Sequence, residues 1–306
     1  MKKTNARLFQ FIIGLFVLIS FVAPQLIWAQ APQHLQGLKV SPLEKGEFFL
    51  FSKKPEEALK VFEDFWKQEP ENSYAVRGVV RSYRALNKIP DVISKLKTYL
   101  EKHPGSSAAS YGLGYAYYLQ GKFKESREVL NEALKFDSKN VLALNNLSAT
   151  LAEEKDYKGA LDKVREAIGI APNELMLYRN LQMIYASSGQ ADKFEKEYRA
   201  LLTEKVSAKA RGYGLVLAQQ LRQKSFKLYA GGQVDDCIRT IDDMIVVYRE
   251  VDHKPGIVAG LFSLAVLYEE QGKTELALEK YREVLKINPQ HIQASEKLKL
   301  LGQKKE

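Results

Sequence analysis

Two lines of thirty-four residues decide the fold: Ser107–Asn140, SAASYGLGYAYYLQGKFKESREVLNEALKFDSKN, and Val141–Glu174, VLALNNLSATLAEEKDYKGALDKVREAIGIAPNE. Laid over one another, Ser110, Leu113, Gly114 and Tyr117 coincide with Leu144, Leu147, Ser148 and Leu151. Further along, Ser126, Leu130 and Ala133 coincide with Ala160, Val164 and Ala167. Self-similarity at a fixed period marks a stacked array with one continuous core. Within each line the apolar and small residues fall four and then three apart, which lines one face of a helix. A breaker separates two such stripes, Gly121-Lys122 in one line and Lys155-Asp156 in the other. Each line therefore reads as a helix, a tight turn and a second helix.

Stepping outward by the same period gives five blocks without an insertion: 39–72, 73–106, 107–140, 141–174 and 175–208. Pro70, Pro104 and Pro172 follow second stripes, where a proline stops a helix it cannot continue. The period then slips. A sixth block fits 218–251 and a seventh 258–291, with 209–217 as an extension joining a long helix over 207–229. Gly231-Gly232 supplies the next turn, and a loop over His253–Gly256, closed by Pro255, precedes the seventh block. Residues 292–303 read as one more amphipathic helix, a cap with a polar outer side.

Small residues hold fixed places. Gly46, Gly114, Ser148 and Ala265 mark where a first helix approaches its partner, and Ala58, Ser126, Ala160 and Ala277 lie opposite. Without long side chains between them, the two backbones can close together. Phe49, Tyr83, Tyr117 and Tyr268 then fill the space between pairs.

These blocks resemble the tetratricopeptide repeat. The best match is Val258–His291, where Leu261, Leu264-Ala265, Tyr268, Gly272, Ala277, Tyr281 and Pro289 fall on family positions. Departures are Pro42 and Lys45, which delay the first helix, and Ser138 in place of a proline. The resemblance, which spans residues 39–306, implies an all-α fold: a right-handed α-solenoid of about seven helix-turn-helix repeats plus a C-terminal capping helix. It also implies a non-enzymatic scaffold that binds a protein or peptide in its concave groove. For exported members it implies a part in assembling the cell envelope or secretion machinery.

The first thirty residues bear on compartment. Lys2, Lys3 and Arg7 precede an apolar run from Leu8 to Ala23, then Pro24 and the small-residue exit Ile27-Trp28-Ala29-Gln30-Ala31. That order describes a secretory signal over 1–31, cleaved after Ala29 or Ala31 and followed by a linker at 32–38. The alternative is an uncleaved anchor, since Leu8–Ala29 is long enough to span a bilayer. Either way the expected location is outside the cytoplasm, in a bacterial periplasm or on the outer face of the inner membrane. Removing the leader lowers the formal charge from +9 to +6. Cys237 is the one cysteine, so no internal disulfide forms; it shares the slot of Ala160 and Ala277 and is expected in the core.

Nothing in the sequence assembles a catalytic site, and no cofactor or metal is expected. His34, His103, His253 and His291 are scattered without a second ligand three or four residues away. Gly272-Lys273-Thr274 imitates the end of a phosphate loop, but Leu267 stands where its partner glycine is required. Gly112-Leu113-Gly114 follows no strand, and Ser94-Lys95-Leu96-Lys97 lacks its companion motifs.

The expected binding face is the concave wall of first helices. Its rungs are Arg77, Arg81 and Arg84 in the second block and Tyr111, Tyr115 and Tyr118 in the third. The wall continues with Asn145 in the fourth block, Arg179 in the fifth, and Arg222 and Phe226 in the sixth. Arginine and tyrosine offer large rigid surfaces with a polar end, the chemistry of interface anchors. Leu113, Tyr117, Leu130 and Leu134 already supply the third block's core, which leaves its three wall tyrosines for a partner. An acidic or aromatic-bearing protein segment fits these ladders, and no nucleic acid is expected. The alternatives are self-association into homo-oligomers, or adhesion to anionic lipid or wall polymer through the excess positive charge. Membrane association through residues 8–29 belongs to the uncleaved reading.

Overall fold

In the structure, a computed structural model, residues 40–202 and 206–303 are described, and the expected leader and linker lie outside them. Among the described residues there are fifteen helices and no strand. Seven pairs run in order: α1 (Pro42–Phe51) with α2 (Pro55–Gln68), α3 (Ser73–Ala85) with α4 (Ile89–Lys102), α5 (Ser107–Leu119) with α6 (Phe123–Phe136), and α7 (Val141–Glu153) with α8 (Tyr157–Ile170). Then come α9 (Leu175–Ser187) with α10 (Asp192–Leu201), α11 (Ala208–Ala230) with α12 (Val234–Glu250), and α13 (Lys254–Glu270) with α14 (Thr274–Ile287), before the single helix α15 (Ile292–Gln303). The fold is an all-helical solenoid of helix pairs. It divides into two compact units, 1–146 and 147–306, with the boundary inside α7.

Every pair closes through the same turn. One residue takes the left-handed backbone: Lys53, Asn87, Gly121, Lys155, Gly189, Gly232 or Gly272, with φ between 57° and 76°. The next N–H returns to a carbonyl five residues back, as from Lys122 to Tyr117 at 3.0 Å and from Asp156 to Leu151 at 2.9 Å. This is the Schellman closure, which satisfies carbonyls that the helix end leaves open. The left-handed conformation costs a residue with a Cβ about 1–2 kcal/mol, so glycine suits the position and lysine tolerates it.

Helix starts are equally regular. Asn72, Ser106 and Asn140 stand thirty-four apart, and each side chain accepts a backbone N–H of the helix that follows. The Asn140 amide also donates to the hydroxyls of Ser73 (2.9 Å) and Ser107 (3.0 Å), binding successive blocks together. Pro42 begins α1 rather than disturbing it. It occupies the first turn, where its missing N–H has no intrahelical role, behind a capping box of Ser41 and Glu44.

The seam of the first unit is built from missing side chains. A Cβ on Gly114 would meet Leu130 at 2.6 Å, and the Ser126 hydroxyl donates to the Gly114 carbonyl at 2.9 Å. Phe62, fully buried, lies against both Gly46 and Gly78, so a single ring joins α1, α2 and α3. Burying such a ring contributes about 1.5–3 kcal/mol.

The second unit departs from the even period. Its 23-residue helix α11 starts at Ala208 behind the Ser207 cap, matching the long helix expected over 207–229, which runs into the sixth block at 218. Helix α13 begins at Lys254, so Pro255 sits inside its first turn and does not close a loop. The expected long loop shrinks because His253 caps this helix, its Nδ1 accepting from the Gly256 N–H at 3.0 Å. His291 does the same for α15, accepting from Ala294 at 3.2 Å. Both rings stack on aromatics, His253 on Tyr248 at 5.1 Å and His291 on Phe262 at 4.9 Å.

Polar ties also join helices here. The Glu197 carboxylate accepts from the hydroxyls of Tyr185 (2.6 Å) and Tyr213 (2.5 Å) and from the Arg165 guanidinium (2.7 Å). Burial opposes that charge, yet the donors Tyr185, Tyr213 and Arg165 outweigh it and hold the carboxyl below its ordinary value. Cys237 is buried as its slot predicts, and burial, with Glu270 nearby, pushes its thiol up to about 11.

Two outcomes are expected of this fold. Gly121→Ala should destabilise the protein by about 1 kcal/mol and Lys155→Gly should stabilise it by a similar amount, read by chemical denaturation. Equal and negligible shifts would mean that the turns relax freely. The second concerns pH. Burial first, then Arg211, lowers the His253 imidazole below its ordinary 6.5, and burial likewise lowers His291. A depressed base contributes its stability above the unfolded value and loses it as pH falls through the folded one. The melting temperature should therefore fall from pH 7.5 to pH 5 more steeply than in His253→Asn/His291→Asn, whose caps do not titrate. Parallel profiles for the two proteins would remove the histidine caps from the account.

Candidate functional site on the first-helix face

In the first unit α1, α3 and α5 pack side by side and share one face. Arg77 and Arg81 are half-buried there and Arg84 is exposed. Their fates differ. Arg81 forms an ion pair with Glu47 of α1, the two side chains being 31% and 40% exposed. Arg77 and Arg84 have no carboxylate within ion-pair distance among the described residues.

The tyrosine ladder of α5 meets these arginines, but not with three open rungs. Tyr111 is 1% exposed and packs within the seam, with Arg77, Arg81, Tyr115 and Tyr74 around it. Its expected role as a solvent-facing contact is thereby corrected. The cause is Gly112: a Cβ there would meet Val76 at 2.3 Å, so α5 lies close enough to α3 to cover the neighbouring ring. Leu134, expected in the core, is only half-buried. Burial pushes the Tyr111 phenol far up, against the pull of Arg77 and Arg81, so the group stays neutral. Tyr115 remains half-exposed and stacks on Tyr111, with centroids 6.2 Å apart and planes 10° from parallel. The buried ring is thus the backing for the accessible one. Tyr118 is half-buried and tilts against Phe123 at 5.8 Å, and Asn145 is half-buried on α7.

Arg179, Arg222 and Phe226 belong to the second unit. Arg179, exposed on α9, donates from Nε to the Gln219 side chain of α11 at 3.1 Å. Arg222 is half-buried near Tyr248, while Phe226 and Met183 leave 36% and 65% of their surface open. Of the ten expected residues, seven lie on the first unit and three on the second.

Sequence reasoning missed Glu47, although the signal was present. Glu47, Arg81 and Tyr115 are thirty-four residues apart and occupy one repeat position on three successive first helices. The ion pair joins two of those neighbours. Chemically the face offers two guanidinium groups without an ion-pair partner among the described residues, an engaged one, and a stacked, half-exposed phenol. That set can bind carboxylates and aromatic rings. Among the described residues no three acidic, histidine or cysteine side chains converge on a metal-binding position. No helix among them is long and apolar enough to cross a membrane.

Comparison with known proteins gives two family matches, both described as tetratricopeptide repeat, over residues 79–141 and 258–291. The second coincides with the block whose residues best match the repeat pattern. Curated relatives include the CTR9 homolog of Arabidopsis thaliana, 22% identical over 82% of this chain and 26% of that protein. Another is the uncharacterized protein y4yS of Sinorhizobium fredii, 30% identical over 32% of this chain and 53% of that protein. The chain spans about a quarter and about half of the lengths of these two relatives. Similar solved structures include MamA (18% identity, TM-score 0.37, 53% of this chain and 93% of that one) and the Cut9–Hcn1 hetero-tetramer of the APC/C (15%, 0.46, 89% and 57%). A third is YrrB, a TPR protein with an unusual peptide-binding site (17%, 0.34, 77% and 96%). The chain carries tetratricopeptide repeats, at 79–141 and at 258–291.

Proposed function

We propose that this protein is a non-enzymatic scaffold that binds an acidic segment of another protein along the first-helix face of its N-terminal unit. Tetratricopeptide repeats are protein-interaction modules, and here one observation carries the finer reading. Arg77 and Arg84 have no ion-pair partner among the described residues and share a face with a half-exposed Tyr115 that stacks on Tyr111. A pre-ordered ring and two uncommitted cations lose little freedom on binding, which favours affinity over an unstructured patch. The charged leader and its small-residue exit support a location outside the cytoplasm, in the periplasm or on the outer face of the inner membrane. For an exported member of the tetratricopeptide-repeat family, the resemblance suggests a role in assembling envelope or secretion machinery.

The test is fluorescence anisotropy with a labelled peptide of about twelve residues that alternates glutamate and tyrosine. A glutamine–tyrosine version is the control. Binding should weaken at least tenfold in Arg77→Glu/Arg84→Glu and should weaken with added salt, while the glutamine peptide binds poorly throughout. Equal binding of both peptides, or no effect of the double substitution, would reject an acid-reading face. Co-sedimentation with anionic vesicles in place of peptide binding would favour the surface-adhesion alternative.

A further inference from the structure

We infer that Glu47 is a built-in competitor for the partner: it occupies Arg81 in the free protein, so that Arg77 and Arg84 make first contact and Arg81 is released only as an acidic group displaces Glu47. The inference rests on the acidic-segment reading and specifies which members of the arginine ladder a partner meets.

The geometry is direct. Arg77, Arg81 and Arg84 lie on one stripe of α3, four and three residues apart. Their environments nevertheless separate them into one paired and two unpaired cations. The pairing carboxylate comes from α1, the adjacent first helix, so it reaches Arg81 from within the same face. Glu47 also occupies the repeat position that Arg81 holds in the second block and Tyr115 in the third. The position therefore runs from acid to base to phenol across three helices. An acidic segment is attracted at the α3 arginines and disfavoured on the α1 side where Glu47 stands, while the α5 side offers the phenol of Tyr115, which gives the surface a direction as well as a charge.

The strength of the device follows from exposure. Both side chains keep roughly a third of their surface open to water, and pairs of this kind are weak. Glu47 therefore biases binding and does not block it. A partner group that can make the same contact in a drier complex displaces it readily.

Two readouts test this on the full protein. Arginine-selective labelling with phenylglyoxal, mapped by peptide mass, should modify Arg77 and Arg84 faster than Arg81, and Glu47→Gln should bring Arg81 up to the rate of its neighbours. In anisotropy, Glu47→Gln should bind the glutamate–tyrosine peptide about two- to fivefold more tightly, the span that corresponds to an exposed pair. Its thermal melt should stay within a few degrees of wild type. If the peptide binds wild type and Glu47→Gln binds it no more tightly, the competitor is overturned and the acidic-segment reading stands. If the peptide binds neither protein, both are overturned. Arg81 labelling as fast as Arg77 in the unaltered protein would also overturn the competitor, whatever the affinities.

Discussion

The fold depends on how close two helix backbones can come. At Gly114 the first helix of a pair presents bare backbone, so the Leu130 side chain of the second packs directly against it and the Ser126 hydroxyl bonds to the glycine carbonyl at 2.9 Å. That approach leaves each pair thin, so its large side chains must go elsewhere. Phe62 of α2 shows where they go: its ring lies against Gly46 of its own pair and reaches across to Gly78 of the next. A pair alone would expose those rings to water. Stacking buries them, and the array is stable only as an array.

The same economy governs the polar groups. Turns reuse one left-handed residue and one return hydrogen bond in every pair, and starts reuse an asparagine or serine cap. Because these local needs are met locally, most of the exposed surface is released from structural duty. The exceptions carry information. Glu197 ties three elements of the second unit through two phenols and a guanidinium, so Arg165 serves the fold. Arg81 is also engaged, but with a single half-buried carboxylate in a partly exposed pair. Arg77 and Arg84 are engaged by no carboxylate among the described residues.

Much of this could be read before any coordinates. The period of thirty-four placed the turns at Gly121 and Lys155, the small residues at the pair contact, and the buried slot of Cys237. Each depends on local backbone chemistry or on a repeated position, and both are properties of the linear chain. The misreadings share a different character. Pro42 and Pro255 looked like interruptions, yet both sit in first turns where a proline costs no hydrogen bond. Tyr111 looked available because its own block held enough apolar residues to fill a core. Its burial is decided by Gly112 and the neighbouring pair, thirty-four residues away.

The sequence by itself determined the architecture: helix pairs, their turns, their order, and which helices form the first-helix face. It could do so because a repeat writes each local rule several times, and repetition separates a rule from an accident. The tertiary structure alone decided which residues of that face are free to act. Whether a tyrosine is covered or a guanidinium already paired depends on how near the next helix lies and what it carries there, and those distances are set by packing across blocks. Glu47 shows the division: its repeat position is written in the chain, while its hold on Arg81 exists only once α1 and α3 lie side by side.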